Sequence, residues 1–271
     1  MAPVLEVSGL NTVFHTRRGT VRAVQDVSFS VNAGETLAIV GESGCGKSVT
    51  SFSLMGLLGA NAVTTGKAKL QTGAGQFADL IRGTEAQKQA LRGKAVSMIF
   101  QEPMTSLNPL QTVADQIAEA MTVHGVANKK SAMAKAVQLL KLVGISDPET
   151  RAKQYPHQLS GGMRKRVAMA ASLIHRPKIF LMDEPFEGVD AVGARMMKDL
   201  LADQVRRGAT IFLTSHVLEV VERLCDHIAI INQGKIVAEG STEDLRGSGS
   251  LEEAFVRAVG VDRQQDTLEW L

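Results

Sequence analysis

Apolar and polar positions alternate along this chain in blocks that predict strands separated by helices. Leu5–Val7 and Val21–Val31 read as two strands near the start, the second alternating as "VQDVSFSV". The apolar run "ETLAIV" passes through a glycine-rich loop into "VTSFSLMGLL", which has helical spacing. Turn-rich text follows to about residue 94, and then "AVSMIF" reads as a buried strand. From about 103 to 171 the pattern is mainly helical, with breaks at "SLNP" and "ISDPET". "KIFLMDE" and "ATIFLTSH" are two more apolar strands, with a helix predicted over Ala194–Arg206 between them. "HIAIINQGKIVAEG" predicts a hairpin turning at Gln233-Gly234, and a last helix, Leu251–Val259, leads into a polar tail. "RGSGS", Arg246–Ser250, reads as a short flexible linker. Strands of this kind alternating with helices imply an α/β fold with a parallel core sheet covered on both faces. Residues 103–171 would then form an inserted α-helical subdomain, with residues 1–245 as the main unit and 246–271 as a short C-terminal helix and tail.

Composition narrows the function classes. With 271 residues, 44% hydrophobic and 21% charged, the chain can bury a substantial core. A net charge of +2 and 4% aromatic residues give neither a basic footprint nor a stacking platform, so nucleic acid is not an expected partner. Cys45 and Cys225 lie far apart and lack a CxxC companion, which argues against a disulfide framework or a zinc site and fits a reducing compartment. "MAPVLEVSGL" has no basic segment followed by an apolar one, so no signal peptide is expected. No apolar run approaches the roughly 20 residues that cross a bilayer. If the protein serves a membrane, it does so through a partner.

The glycine-rich loop carries the first chemistry. "GESGCGKS", Gly41–Ser48, satisfies G-x-x-x-x-G-K-[ST] between a strand and a helix, as a phosphate-binding loop requires. Gly44 and Gly46 let backbone N–H groups curl around phosphate oxygens; Lys47 would reach the β- and γ-phosphates, and the Ser48 hydroxyl would hold Mg²⁺. Gly41, Ser43, Cys45 and Val49 complete the expected nucleotide-binding set of the loop. Alkylating Cys45 is expected to obstruct the nucleotide.

A second acid pair ends "IFLMDEP", Ile179–Pro185. Asp183 is placed to organise Mg²⁺. Glu184 is expected to point the other way by strand alternation, as suits a base acting on water, a role worth roughly 10²–10⁴-fold. Acid pairs of this kind also occur in surface turns. In "HQLSGGMRKRV", Ser160 reads as an N-cap, while Gly161 and Gly162 just inside the helix cost about 1 kcal/mol each relative to alanine. A bare helix N-terminus of this kind suits an anion, although an ordinary capped helix has the same look.

With "GESGCGKS", "FQEPMTSLNP", "LSGGM", "LMDEP" and "TSH" in this order, residues 4–245 resemble the nucleotide-binding subunits of ABC transporters. The resemblance implies a P-loop NTPase with an N-terminal antiparallel β subdomain, ATP and Mg²⁺ as ligands, and ATP hydrolysis. It implies a head-to-tail dimer, homo- or heteromeric, with Ser160, Gly161 and Gly162 facing the γ-phosphate held by the partner cassette. Gln101 matches the glutamine that senses Mg²⁺ and the attacking water, and His216 the histidine that contacts the γ-phosphate. Phe14 stands where the family places an aromatic under adenine, a stacking worth roughly 1–3 kcal/mol; core packing is the alternative for that ring. Asp190 matches the acid of the loop that crosses the dimer interface, where Glu187-Gly188-Val189 replaces the usual small residues. Met163 replaces the usual glutamine of the signature.

The two halves resemble different branches. "EPMTSLNP", "QYPHQLSGGM" and "GISDPETR" are similar to dipeptide and oligopeptide permease ATPases. "EPFEGVDAVGARMM" and the text after it look like exporter-type cassettes. The surface between Gln101 and the signature, which meets the membrane partner in the family, favours a peptide-type or small-solute importer. An exporter subunit and a non-transport ABC ATPase are the alternatives. The implied partners are transmembrane permease subunits, a second cassette and, through the permease, a solute-binding protein. The implied location is the cytoplasmic face of the inner membrane, held peripherally.

Overall fold

Two long strands, β1 (Leu5–Thr16) and β2 (Gly19–Val31), form an antiparallel ribbon that turns at Arg17-Arg18. The computed structural model describes residues 3–102, 107–123, 125 and 127–260. The polar tail and part of "FQEPMTSLNP" therefore lie outside the described residues. β1 runs well past Val7 because β2 holds one edge and β4 (Ala62–Gly73) the other. Its register shifts between Val7 and Leu10, next to Gly9, and that bulge breaks the alternation by which its second half would have been visible. After α1 (Lys47–Met55), the stretch read as turns contains β4, β5 (Gln76–Asp79) and α2 (Glu85–Leu91), which Thr84 and Gln87 cap reciprocally. β4 hides as a strand because few of its residues are buried, Ala68 and Leu70 among them. The sheet order is β2-β1-β4-β5.

The larger sheet has the order β10-β9-β3-β8-β7-β6. Its strands are β3 (Thr36–Val40), β6 (Val96–Ile99), β7 (Ile179–Asp183), β8 (Thr210–Ser215), β9 (His227–Asn232) and β10 (Lys235–Ser241). All neighbours pair in parallel except β10, which folds back on β9 at Gln233-Gly234. Every residue of β3, β7 and β8 is buried, as in a sheet covered on both faces. Leu37, Ile39, Leu181 and Phe212 face the antiparallel sheet and Leu54 of α1 (Lys47–Met55). Their pleat neighbours Ala38, Val40, Phe180, Met182, Ile211 and Leu213 pack on Met169, Met197, Leu201 and Val221 on the other side.

The inserted helices are α3 (Val113–Val123), α4 (Lys129–Leu142), α5 (Pro148–Ala152), a short 3₁₀ turn (Pro156–Gln158) and α6 (Gly161–Leu173). Val113, Ile117, Met121, Ala132, Ala136 and Leu140 bury a separate core against Val167 and Ala170 of α6. Helix α6 belongs to both units, since Met169 and Leu173 sit in the core of the main sheet. After β7, α7 (Ala191–Arg206) starts three residues before the sequence pattern suggests, because the Asp190 carboxylate accepts from the Gly193 N–H at 2.8 Å. Helices α8 (Leu218–Leu224), α9 (Thr242–Arg246) and α10 (Leu251–Val259) close the chain.

"RGSGS" is a tight joint and not a loose linker. The Gly247 and Gly249 N–H groups donate to Glu243 and Arg246 carbonyls, and Ser250 with Glu253 caps α10. Leu251 is buried in the same cluster as Ile211 and Leu213, so α10 is packed into the main unit.

Phe212 is fully buried and stacks on Phe29 with ring centroids 5.2 Å apart. Phe212→Ala should destabilise the fold by roughly 3–5 kcal/mol in denaturant unfolding. Lys69→Ala removes only a half-exposed pair with Glu6 at 3.5 Å and should change stability by less than about 0.5 kcal/mol in the same measurement.

Candidate active site

Strand β3 delivers the chain into the glycine-rich loop at the carboxyl edge of the parallel sheet, where ligands of open α/β sheets collect. Gly41 starts the loop under close constraint, since a Cβ there would run into the Ile231 carbonyl and the Cys45 sulfur. Gly46 has φ 111°, and a Cβ on it would come within 2.5 Å of the Ala23 carbonyl. Gly46 is also the N-cap of α1, with no side-chain cap and no acidic residue in the first turn. The free N–H groups and the positive end of that helix therefore point into a cavity of about 410 Å³. Its lining includes Ser43, Gly44, Lys47, Ser48 and Val49 from the loop, with Gln101, Glu184, Glu187 and His216 across from them.

The loop's lysine is folded over its own turn. Lys47 Nζ donates to the carbonyls of Gly41 at 2.8 Å and Glu42 at 3.0 Å, and lies 3.7 Å from Glu184 Oε1. Ser48 Oγ donates to Asp183 Oδ1 at 2.8 Å, and Thr214 Oγ1 donates to the same oxygen at 2.5 Å. Asp183 is only 1% exposed, and its charge is satisfied by these hydroxyls.

Glu184 meets different partners from Asp183, and strand alternation is not what directs it. It leaves β7 with φ 46°, the left-handed region that few side chains adopt, so a backbone turn and not the pleat sets its direction. Its N–H donates to the Thr214 carbonyl at 3.2 Å, with Thr214 Oγ1 at 3.3 Å. Its carboxylate lies 3.0 Å from His216 Nδ1 and accepts from the His216 backbone N–H at 3.3 Å. Glu184, Lys47 and His216 thus share one corner of the cavity.

Gln101 Nε2 donates to Glu187 Oε2 at 2.9 Å. Among the described residues no cluster of three or more His, Cys, Asp or Glu side chains could hold a metal. The donors that do converge are the Ser48 hydroxyl and the Asp183 carboxylate, with the Gln101 amide on the same cavity. A hydroxyl, one carboxylate and an amide oxygen suit a hard ion that keeps waters and takes phosphate oxygens, which is the habit of Mg²⁺.

The remaining predicted residues lie elsewhere. Ser160 caps α6 by accepting from the Met163 N–H at 3.3 Å, and a Cβ on Gly161 would meet nothing within 4 Å. Ser160, Gly161 and Gly162 do not line this cavity. Asp190 is engaged as the cap of α7, whose Gly193 N–H holds its carboxyl below the usual range. Phe14 pairs with Val21 and Ala62 inside the antiparallel sheet and does not line the cavity; Ala23 on β2 does. The Cys45 side chain is buried in the core beneath the loop and does not line the cavity.

Sequence reasoning missed Ala23, Glu187, Thr214 and Lys165 as neighbours of the site. Lys165 is 3% exposed on α6 and its Nζ donates to the Glu184 carbonyl at 2.8 Å. Burial pulls its pKa down, while Glu187, Glu184 and Asp183 act to raise it. Its signal was available: Lys165 shares a helical stripe with Gly162, Met169 and Ser172, all buried.

Residues 24–187 match the family model described as ABC transporter. The chain belongs to the ABC transporter family. It is an ABC-type ATPase subunit, and relatives named for peptide transport resemble it throughout. It is 44% identical over 248 residues to the dipeptide transport ATP-binding protein DppD of Bacillus subtilis, a match covering 90% of this chain and 72% of that one. It is 39% identical to the oligopeptide transport ATP-binding protein OppD of Haemophilus influenzae, covering 90% and 75%. Each match spans 90% of this chain, so it runs into the C-terminal third as well. Among solved structures, an ATP-binding subunit of an ABC transporter superposes with a TM-score of 0.76 at 25% identity, covering 94% of this chain and 99% of that one. A dimeric cassette in a post-hydrolysis state with ADP and Pi has the same fold, with a TM-score of 0.78 at 21% identity, covering 88% and 98%.

Burial raises the pKa of Cys45, with nearby Lys47 only partly offsetting it, so the thiol stays protonated well above neutral pH. Cys225 is pushed up further by deeper burial. Iodoacetamide should therefore label native Cys45 slowly at pH 7, faster only as the pH rises above the usual thiol range, and always before Cys225; mass spectrometry of the labelled peptides reads the order.

Proposed function

We propose that this ATPase subunit closes head to tail with a second cassette on two Mg²⁺-ATP molecules and so drives the permease of a peptide-type importer. The observation that carries the reading is the corner where Glu184, Lys47 and His216 meet over the bare start of α1. Loop N–H groups from Gly44 to Val49 and the Lys47 ammonium hold the phosphates, and the helix dipole favours their charge. Lys47 exchanges its present carbonyl partners for phosphate oxygens. Ser48 and Asp183, with Gln101, hold Mg²⁺, which when bound neutralises charge on the β- and γ-phosphates.

Glu184 accepts a proton from the water that attacks the γ-phosphorus, and His216 holds that carboxylate in place while contacting the γ-phosphate. Phe14 stacks on adenine. Ser160 and Gly161 offer their exposed helix start to the γ-phosphate bound by the partner cassette, and Asp190 stands beside that interface. Loss of the γ-phosphate removes those contacts and the dimer opens.

The importer reading rests on relatives named for dipeptide and oligopeptide transport across nearly the whole chain. Among the described residues no helix is long and apolar enough to cross a membrane, so the work on a solute passes through permease subunits. On this reading the subunit sits peripherally at the cytoplasmic face of the membrane, with a solute-binding protein reached through the permease. Small peptides are the proposed cargo.

Size-exclusion chromatography of Glu184→Gln with and without Mg²⁺-ATP tests the assembly. A shift from monomer to dimer on adding Mg²⁺-ATP is expected, and a protein that binds ATP yet never dimerises with itself refutes the homodimer. Glu184→Gln should also lower ATP turnover by about 10²-fold or more, in line with the loss of a general base. Lys47→Ala should abolish productive ATP binding, read by fluorescent-nucleotide titration; unchanged binding and turnover would sink the phosphate-loop assignment.

A further inference from the structure

Lys165 is the one cation of α6 that goes into the protein where its neighbours Arg164 and Arg166 stay nearer the surface. Burying an ammonium group is costly unless it is paired and hydrogen-bonded, and a methionine or leucine would cover the same space without that cost. The position of its nitrogen says what the charge does. Nζ donates to the main-chain carbonyl of Glu184 at 2.8 Å, a charge-assisted bond, while the Glu187 N–H reaches the same oxygen only at 3.3 Å.

Glu184 needs holding. Its left-handed backbone, φ 46°, is uncommon for a residue with a side chain, and such conformations persist where the surroundings over-determine them. On the N-terminal side Thr214 holds the Glu184 N–H through its carbonyl and hydroxyl oxygens. On the C-terminal side Lys165 holds the carbonyl. The carboxylate between these two anchors is thereby directed at His216 and Lys47.

We propose that Lys165 is a positioning residue for the hydrolytic step: its bond to the Glu184 carbonyl fixes the backbone turn that aims the Glu184 carboxylate. The inference rests on the reading of Glu184 as the base. It also gives α6 a second task. Ser160 begins the helix that Lys165 continues, five positions on, so one rigid element joins the signature to the base of the same subunit. A displacement of α6 at the partner's nucleotide would reach Glu184 through this single bond.

The test is ATP turnover and fluorescent-ATP affinity of Lys165→Met, in wild-type and Glu184→Gln backgrounds. In the wild-type background kcat should fall about 10- to 100-fold, part of the roughly 10²–10⁴-fold that a positioned base supplies, while ATP affinity stays within about twofold. In the Glu184→Gln background, single-turnover hydrolysis should not fall further, because a residue acting through Glu184 has nothing left to position. A loss of equal size in both backgrounds, or a loss of ATP affinity that tracks kcat, would show a merely structural role and overturn the proposal. So would a folded Lys165→Met with wild-type kcat. Lys165→Gln, one bond too short to reach the carbonyl, should give the same kcat loss and decides the matter if the methionine variant does not fold. Wild-type turnover by Glu184→Gln would remove the reading of the base itself, whereas slow Glu184→Gln beside normal Lys165→Met removes only the role of Lys165.

Discussion

Strand β7 is buried at every position and yet ends in two carboxylates, and the site is built around that conflict. Hydrophobic packing on both faces of the sheet fixes the strand; Leu181 and Met182, adjacent on the pleat, belong to opposite cores. The charges at its end must then be met where they emerge. Ser48 and Thr214 meet the Asp183 carboxylate, Lys47 and His216 meet the Glu184 carboxylate, and Lys165 holds the Glu184 main-chain carbonyl behind it. These partners come from α1, β8, the residue after β8, and α6. Four separate parts of the fold are thus tied to one strand end, and a shift in any of them is felt at a carboxylate.

Helix α6 makes this more than a local arrangement. Its Val167 and Ala170 complete the helical subdomain, while Met169 and Leu173 complete the main core. Arg166 adds a bond from its guanidinium to the Gly144 carbonyl at 2.7 Å, at the end of α4. The subdomain therefore cannot turn as an independent body with α6 left behind. Motion of the inserted helices and motion at the start of α6 are the same motion.

The sheet, the phosphate loop and the carboxylate pair were legible because each depends on local sequence: apolar runs for β3, β7 and β8, and a fixed spacing for Gly41–Ser48. The second half of β1 and all of β4 were not, since a bulge beside Gly9 interrupts the one, and the inward positions of the other are mostly Ala, Thr and Gly, which carry little apolar signal. Strand alternation does not set the direction of Glu184, and the left-handed turn that does leaves no mark on an acidic residue's identity. Ala23 was passed over because long-range packing brings it to the cavity, whereas Thr214 and Glu187 lie within motifs where only their neighbours were given roles. Lys165 escaped because a charged side chain after a signature reads as surface until the helix stripe is traced. Asp190 shows the reverse case: a residue assigned to an interface also has a measurable local task as a helix cap.

Helix α1 begins on a glycine with no side chain to satisfy its first N–H groups and no acid to oppose its dipole. A helix so left is less stable by itself than one capped by Ser, Thr, Asn or Asp, by roughly a few tenths of a kcal/mol. Whatever fills that end is a folding cofactor as well as a substrate, since any ligand bound only by the native state stabilises it, by about 2.7 kcal/mol at a hundredfold excess over its Kd. The stability of this protein is thereby linked to nucleotide: the phosphate that the loop is built to hold also closes the end of the helix that holds it.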